Sequence, residues 1–337
     1  MGCHFPPQGI FSTQGLNLHL ASPALAGRFF TTSTTSLLLC QEDPGGVLRA
    51  RKVTGFIFSI REYIAGKKDG SLKGVGLAKA LAEVKRIGYE AVEFAGYYGH
   101  TAKELKQMLG DNGLVACGTH VGRDVFAPDV IQKTIDFNLE YGNTHLICPG
   151  GGMWPPKGWA EGYDGWWKKM VEFYAKAADT ANARGCTLGY HNHTDEFVAR
   201  TAMKDGTLMW EYFFANTPKN VCMELDVGWC VCAGQDPCYW FKRFPGRSPT
   251  LHAKENGGYL TPKPEQKRSY APHFEGILGQ PATFDDGKTV TPVDWDKLFP
   301  VTDACGVKWY VVECERNAAN LRAIEESYKF LKGKGRC

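Results

Sequence analysis

The 337 residues are 43% apolar and 12% aromatic, which is the composition of a globular chain with one large domain or two ordinary ones. Thirty-nine basic and 36 acidic residues give a formal charge of +3 with no long run of one sign, so neither a nucleic-acid groove nor a membrane face is marked out, and small neutral or anionic ligands fit better. Twelve cysteines include no C-x-x-C pair, and Cys117, Cys148, Cys222 and Cys314 fall in apolar runs, as core residues of a reducing compartment do.

Residues 1–51 differ from the rest. No acidic residue precedes Glu42, Ser and Thr cluster in FFTTSTTS, and no apolar run is long enough to span a bilayer. Arg28 is the only Lys or Arg before Arg49, which is poor in arginine for a transit peptide. This stretch reads as a leader, disordered or targeting, on a cytoplasmic protein, with an organelle or export signal left open.

From Lys52 the chain alternates. VTGFIFSI (53–60) reads as a strand, and LAKALAEVKRIG (77–88) as a helix with Leu77, Leu81 and Val84 on one face and Gly88 as its stop. YEAVEFAG is the second strand. Thr101 and Glu104 form a capping box that opens a helix ending at Gly113. Strands at 114–120, 144–150, 186–191, 220–226, 249–254 and 308–315 follow. The helices between them run from Pro128 to about Tyr141, Trp166 to Arg184, Leu208 to Ala215, onward from Asp236-Pro237 and over DWDKLF, and 320–332 is the last. Residues 255–293 break the rhythm and read as a long loop or lid after strand seven. Eight strands alternating with eight helices over about 280 residues predict a single (β/α)₈ TIM barrel spanning 52–333. No glycine-rich dinucleotide turn follows the first strand, which counts against a doubly wound sheet.

Such barrels carry their sites where strands end. Those ends supply Glu93, His120, His191 with His193, Asp226, His252 and Glu313. Imidazoles and carboxylates converging without a thiolate suit one divalent ion such as Mn²⁺, Mg²⁺, Co²⁺ or Zn²⁺, and Cys230 and Cys232 lie beyond the strand end. On the loop after strand four, Trp154 and Trp159 follow glycines and prolines and offer faces that stack on pyranose rings. Gly150–Gly152 lack the Lys-Ser/Thr partner of a P-loop.

VKRIGYEAVEFAG, LGYHNHTDEF, MELDVGW, LHAKEN and VVECE resemble the successive strand motifs of the sugar phosphate isomerase/epimerase superfamily, the xylose-isomerase-like barrels. The likeness runs from about Lys52 to Gly333. It implies one metal, Mn first, held by His191, Asp226, His252 and Glu313, with His193 the alternative fourth ligand. The first position departs, since many members have glutamate where this chain has His191. The expected catalytic residues are Glu313, His191, His193 and Lys254, of which Lys254 matches a lysine common in the family, and the strand-end and loop positions add Glu93, His120, Trp154, Trp159 and Trp229 as expected substrate-binding ones. The expected reaction is proton transfer beside a metal-bound carbonyl of a keto-sugar or sugar phosphate, giving isomerisation or epimerisation. Loss of a β-substituent would instead make the protein a lyase or dehydratase. A sugar is the expected partner, with no nucleic acid and no membrane, and homo-oligomerisation is left open.

Overall fold

Eight of the apolar runs become strands, namely β1 (Lys52–Phe56), β2 (Ala91–Ala95), β3 (Val115–His120), β4 (His145–Pro149), β5 (Thr187–His191), β6 (Val221–Asp226), β7 (Thr250–Ala253) and β10 (Trp309–Val312). The computed structural model describes residues 52–150, 154–157, 159–257, 276–283, 289–314 and 321–337. The eight strands close into one parallel barrel in the order β1–β10–β7–β6–β5–β4–β3–β2. A small antiparallel pair, β8 (Ala282–Thr283) and β9 (Thr289–Val290), lies in the connection after β7. This is a (β/α)₈ barrel. The expected leader, and most of the expected lid at 258–275 and 284–288, fall outside the described residues.

The helices of the outer ring are α1 (Arg61–Ala65), α2 (Leu77–Ile87), α3 (Ala102–Asp111), α4 (Ile131–Glu140), α5 (Gly162–Asn182), α6 (Met209–Asn216), α7 (Val227–Cys232), α8 (Pro237–Arg243), α9 (Trp295–Ala304) and α10 (Leu321–Gly333). None of them is long and apolar enough to cross a membrane. The capping box opens α3 as read: Thr101 Oγ1 accepts from Glu104 N–H, and Glu104 accepts from Thr101 N–H at 2.7 Å. Two differences matter. The run 53–60 stays extended only to Phe56, after which Ile57–Ile60 coil into a 3₁₀ turn that buries Ile57 and Ile60. A short apolar run is equally content in a buried turn, so composition alone could not place that end. Directly after β6, six residues wind into α7, because the Asp226 side chain caps them.

Apolar packing falls into two bodies. One lies between strands and helices and includes the rings of Tyr174, Tyr190, Trp210 and Phe213. The other, inside the barrel, is a small plug of Phe56, Ala91, Cys117 and Val311. A register shift between β2 and β3 at Val92/Glu93 gives β3 an extra residue below the rim. Above the plug the inward positions are polar, and the site stands there.

Candidate metal centre and active site

Strand register brings the strand ends to different heights. Asp226 pairs with His252, and His191 pairs with Glu224 two residues further back on β6. At the top, ligand atoms of His191, Asp226, His252 and Glu313 all lie within 4.8 Å of one another, and all four residues are buried. His252 Nδ1 is 2.6 Å from Glu313 Oε2 and 4.0 Å from Asp226 Oδ2, while His191 Nε2 is 3.9 Å from Asp226 Oδ2. Asp226 divides its oxygens. Oδ1 accepts Trp229 N–H at 2.8 Å and caps α7, whereas the buried Oδ2 accepts no aligned hydrogen bond. Asn192 fixes the backbone beneath, accepting Asp226 N–H at 2.9 Å and donating to Asp226 O at 3.2 Å.

A second layer lies one step down the strands. Glu224 Oε2 is 2.7 Å from His120 Nε2 and 3.3 Å from both His191 Nδ1 and His252 Nε2, and its Oε1 accepts from Thr250 Oγ1 at 2.6 Å. Glu93 Oε1 is 2.8 Å from His252 Nε2 and 3.1 Å from His120 Nε2. The Phe56 ring closes this layer from the β1 side, 4.7 Å from the rings of His120 and His252.

On the rim, Lys254 Nζ sits 3.3 Å from Asp226 Oδ2 and 3.1 Å from Glu313 Oε1, and 4.8 Å over the Trp229 ring. His193 meets Trp229 edge-on at 5.3 Å. Its backbone N–H donates to Glu196 Oε2 at 2.8 Å, and Tyr190 donates to the other oxygen. Gly150 lets this corner close, because a Cβ there would lie 2.5 Å from Glu196 Oε1 and 2.8 Å from His193 Nδ1. Glu255 ties down the chain that follows β7, accepting from Gly279 N–H at 2.7 Å, Val293 N–H at 2.6 Å and Trp295 Nε1–H at 2.9 Å.

Of the residues singled out from sequence, the barrel gathers His191, Asp226, His252, Glu313 and Lys254 in one place, with Trp229 and His193 beside them. Glu93 and His120 stand in the layer below, almost fully buried. Trp154 and Trp159 pack on α5, edge-on to Trp167 at 5.5 Å and Trp166 at 5.0 Å. Sequence reasoning misses Glu224, Asn192 and Glu196. Glu224 is within reach of a period-two argument, since it stands two residues before Asp226 and so shares its face.

The donor set fits a divalent cation. Two carboxylates and two imidazoles meet without a thiolate, and a buried carboxylate oxygen lacks an aligned donor. His191, Asp226, His252 and Glu313 are the residues that would hold it.

Residues 81–334 match the family model for the xylose isomerase-like TIM barrel, and the chain belongs to that family. An inosose dehydratase of Lacticaseibacillus casei is 22% identical over 171 residues, 49% of this chain and 53% of the relative. The chain thus spans about half the length of the curated relatives it matches. Among solved structures, a sugar phosphate isomerase/epimerase from Parabacteroides distasonis ATCC 8503 aligns with a TM-score of 0.61 at 22% identity, covering 84% of this chain and 98% of its own. An L-ribulose 3-epimerase gives 0.57 at 14% over 86% and 95%. The IOLI protein with a binding zinc atom gives 0.58 at 12% over 85% and 98%. At these identities the likeness is one of fold.

Proposed function

We propose that this protein is a divalent-metal-dependent isomerase or epimerase of a keto-sugar or sugar phosphate, with Mn²⁺ as the resident ion. The observation that carries this reading is the meeting of Asp226, His252, Glu313 and His191 at the catalytic end of the barrel, with Asp226 Oδ2 lacking an aligned donor. Held there by these four residues, a divalent cation would supply the Lewis acidity that polarises a carbonyl and acidifies the adjacent C–H. The protein's own groups would then move the proton. Burial works against the Glu313 carboxylate, but Lys254 and His252 outweigh it and hold its pKa well below the usual range. Burial first, then Lys254, push His193 down to about 3. At neutral pH Glu313 is an ionised carboxylate and His193 a neutral imidazole with one lone pair and one N–H, so the site holds groups that can take up a proton and one that can return it. Lys254 would bind substrate oxygens and Trp229 would form the adjoining apolar wall, a reading supported by the Lys254 ammonium lying beside Asp226 and over the Trp229 ring.

A second reading, lyase or dehydratase chemistry on a keto-sugar, draws on the match to inosose dehydratases. Turnover of keto-sugars, inososes and 3-keto-glucosides by the Mn²⁺-loaded protein in D₂O separates the two. Deuterium entering an intact sugar supports the isomerase reading. An eliminated product without such exchange replaces it with the lyase reading.

A further inference from the structure

Two imidazoles cross the boundary between the upper and lower layers. His252 turns Nδ1 up toward Glu313 (2.6 Å) and Asp226 (4.0 Å), and Nε2 down toward Glu93 (2.8 Å) and Glu224 (3.3 Å). His191 turns Nε2 toward Asp226 (3.9 Å) and Nδ1 toward Glu224 (3.3 Å). A neutral imidazole carries one proton, and a nitrogen that binds a cation must present its lone pair, so the proton belongs on the other nitrogen. We propose that Glu224 and Glu93 are positioning residues of the metal centre, accepting the protons of His191 Nδ1 and His252 Nε2 and so presenting His191 Nε2 and His252 Nδ1 bare to the cation. This rests on the metal-dependent reading above.

Two observations support it. His191 Nδ1 stands 3.3 Å from Glu224 Oε2 without an aligned hydrogen bond, so the ring must turn slightly for Glu224 to accept its proton, and among the described residues no other partner competes for that nitrogen. The acceptors are themselves held in place. Thr250 donates to Glu224 Oε1, and Gly118 leaves room for Glu93, whose Oε2 would lie 2.5 Å from a Cβ at that position. A rival reading, a second cation among His120, His191, Glu224 and His252, would require both nitrogens of His252 to be bare. The 2.8 Å His252 Nε2–Glu93 separation is instead that of a hydrogen bond; the 2.6 Å His252 Nδ1–Glu313 contact is one too, and it is this upper bond that a cation would displace.

The direct test is long-range ¹H–¹⁵N NMR of the metal-free wild-type protein, in which His191 should carry its proton on Nδ1. A proton on Nε2 overturns the proposal. Titration of the full chain with Mn²⁺ adds a second measurement. Glu224→Gln and Glu93→Gln should each raise Kd by roughly 10- to 100-fold, with the metal-free melting temperature unchanged or higher. Wild-type affinity in a folded Glu224→Gln protein would also overturn it. A wild-type protein that binds neither Mn²⁺ nor Zn²⁺ removes the metal-dependent reading instead, while the His191 tautomer still decides whether Glu224 orients that ring.

Discussion

Arg247 and Lys254 are both buried cations, 6% and 1% exposed, set just before and just after β7, yet their surroundings differ in kind. At the N-terminal end of the barrel, the Arg247 guanidinium donates to the carbonyls of Phe214, Thr217, Pro218 and Val221 and to Thr217 Oγ1. These are the last carbonyls around α6 and the first of β6. Burial brings the Arg247 pKa down to about 10, so it remains charged at neutral pH. At the C-terminal end, Lys254 lies between two carboxylates that also face His252 and His191. The first cation meets its needs from backbone dipoles and ties elements together. The second sits among carboxylates in excess, an arrangement that makes sense when a further cation is bound. Backbone carbonyls surround the buried cation at one end of the barrel, and carboxylates surround the one at the other.

The largest expected effect breaks the chemical end. Asp226→Ala should lose most bound metal and, with the α7 cap gone, about 1 kcal/mol of stability, while Glu313→Gln should lower turnover by roughly 10²- to 10⁴-fold without a fall in melting temperature. Plasma mass spectrometry and calorimetry on the same samples check this, and full metal occupancy in Asp226→Ala would undo the assignment. Arg247→Met should do the reverse. It strands several buried carbonyls and should cost about 3 kcal/mol of stability in urea unfolding, while activity per folded molecule stays at the wild-type level. Loss of activity in a still-folded Arg247→Met protein would end the division between the two ends.

Acidity sharpens the comparison next. Burial pushes the Asp226 carboxyl up to about 7 from an ordinary value of 3.8. Between those values the folded metal-free chain holds a proton on Asp226 that the unfolded chain has lost, so this group contributes stability that falls by on the order of 2 kcal/mol as pH rises from 5 to 7. Glu196, pushed up by burial to about 7, adds the same sign, and His193, held down to about 3, the opposite one, so the Asp226 share is the difference between the wild-type and Asp226→Asn profiles. Because a cation displaces the Asp226 proton, metal affinity should rise over the same interval. Denaturant melts at several pH values, with chelator and with Mn²⁺, read both effects. The smallest change is Thr250→Val, which deletes the 2.6 Å donor to Glu224. It should cost about 1 kcal/mol and weaken metal binding less than Glu224→Gln does.

Much of the site is legible in the amino-acid sequence, because a barrel strand ends where its apolar run ends and the polar residue there faces the rim. Asp226, His252 and Glu313 are found that way. Glu224 is not, because a carboxylate inside a strand reads as one polar position in a buried run unless the face it shares with Asp226 is followed inward. The loop tryptophans show the opposite limit. Glycines and prolines show that Trp154 and Trp159 lie on a loop, but which surface a loop packs against is a long-range matter, and here that surface is α5.

The amino-acid sequence by itself determined the alternation of strand and helix, the capped start of α3 and the polar residues at the strand ends, since each depends on periodicities and hydrogen bonds within a few residues. The tertiary structure alone decided which polar residues share a layer. Closing a barrel staggers its strands, so His191 stands level with Glu224 while Asp226 stands level with His252. That offset separates the upper candidate ligands from the carboxylates beneath them, and it arises from pairings between strands tens of residues apart.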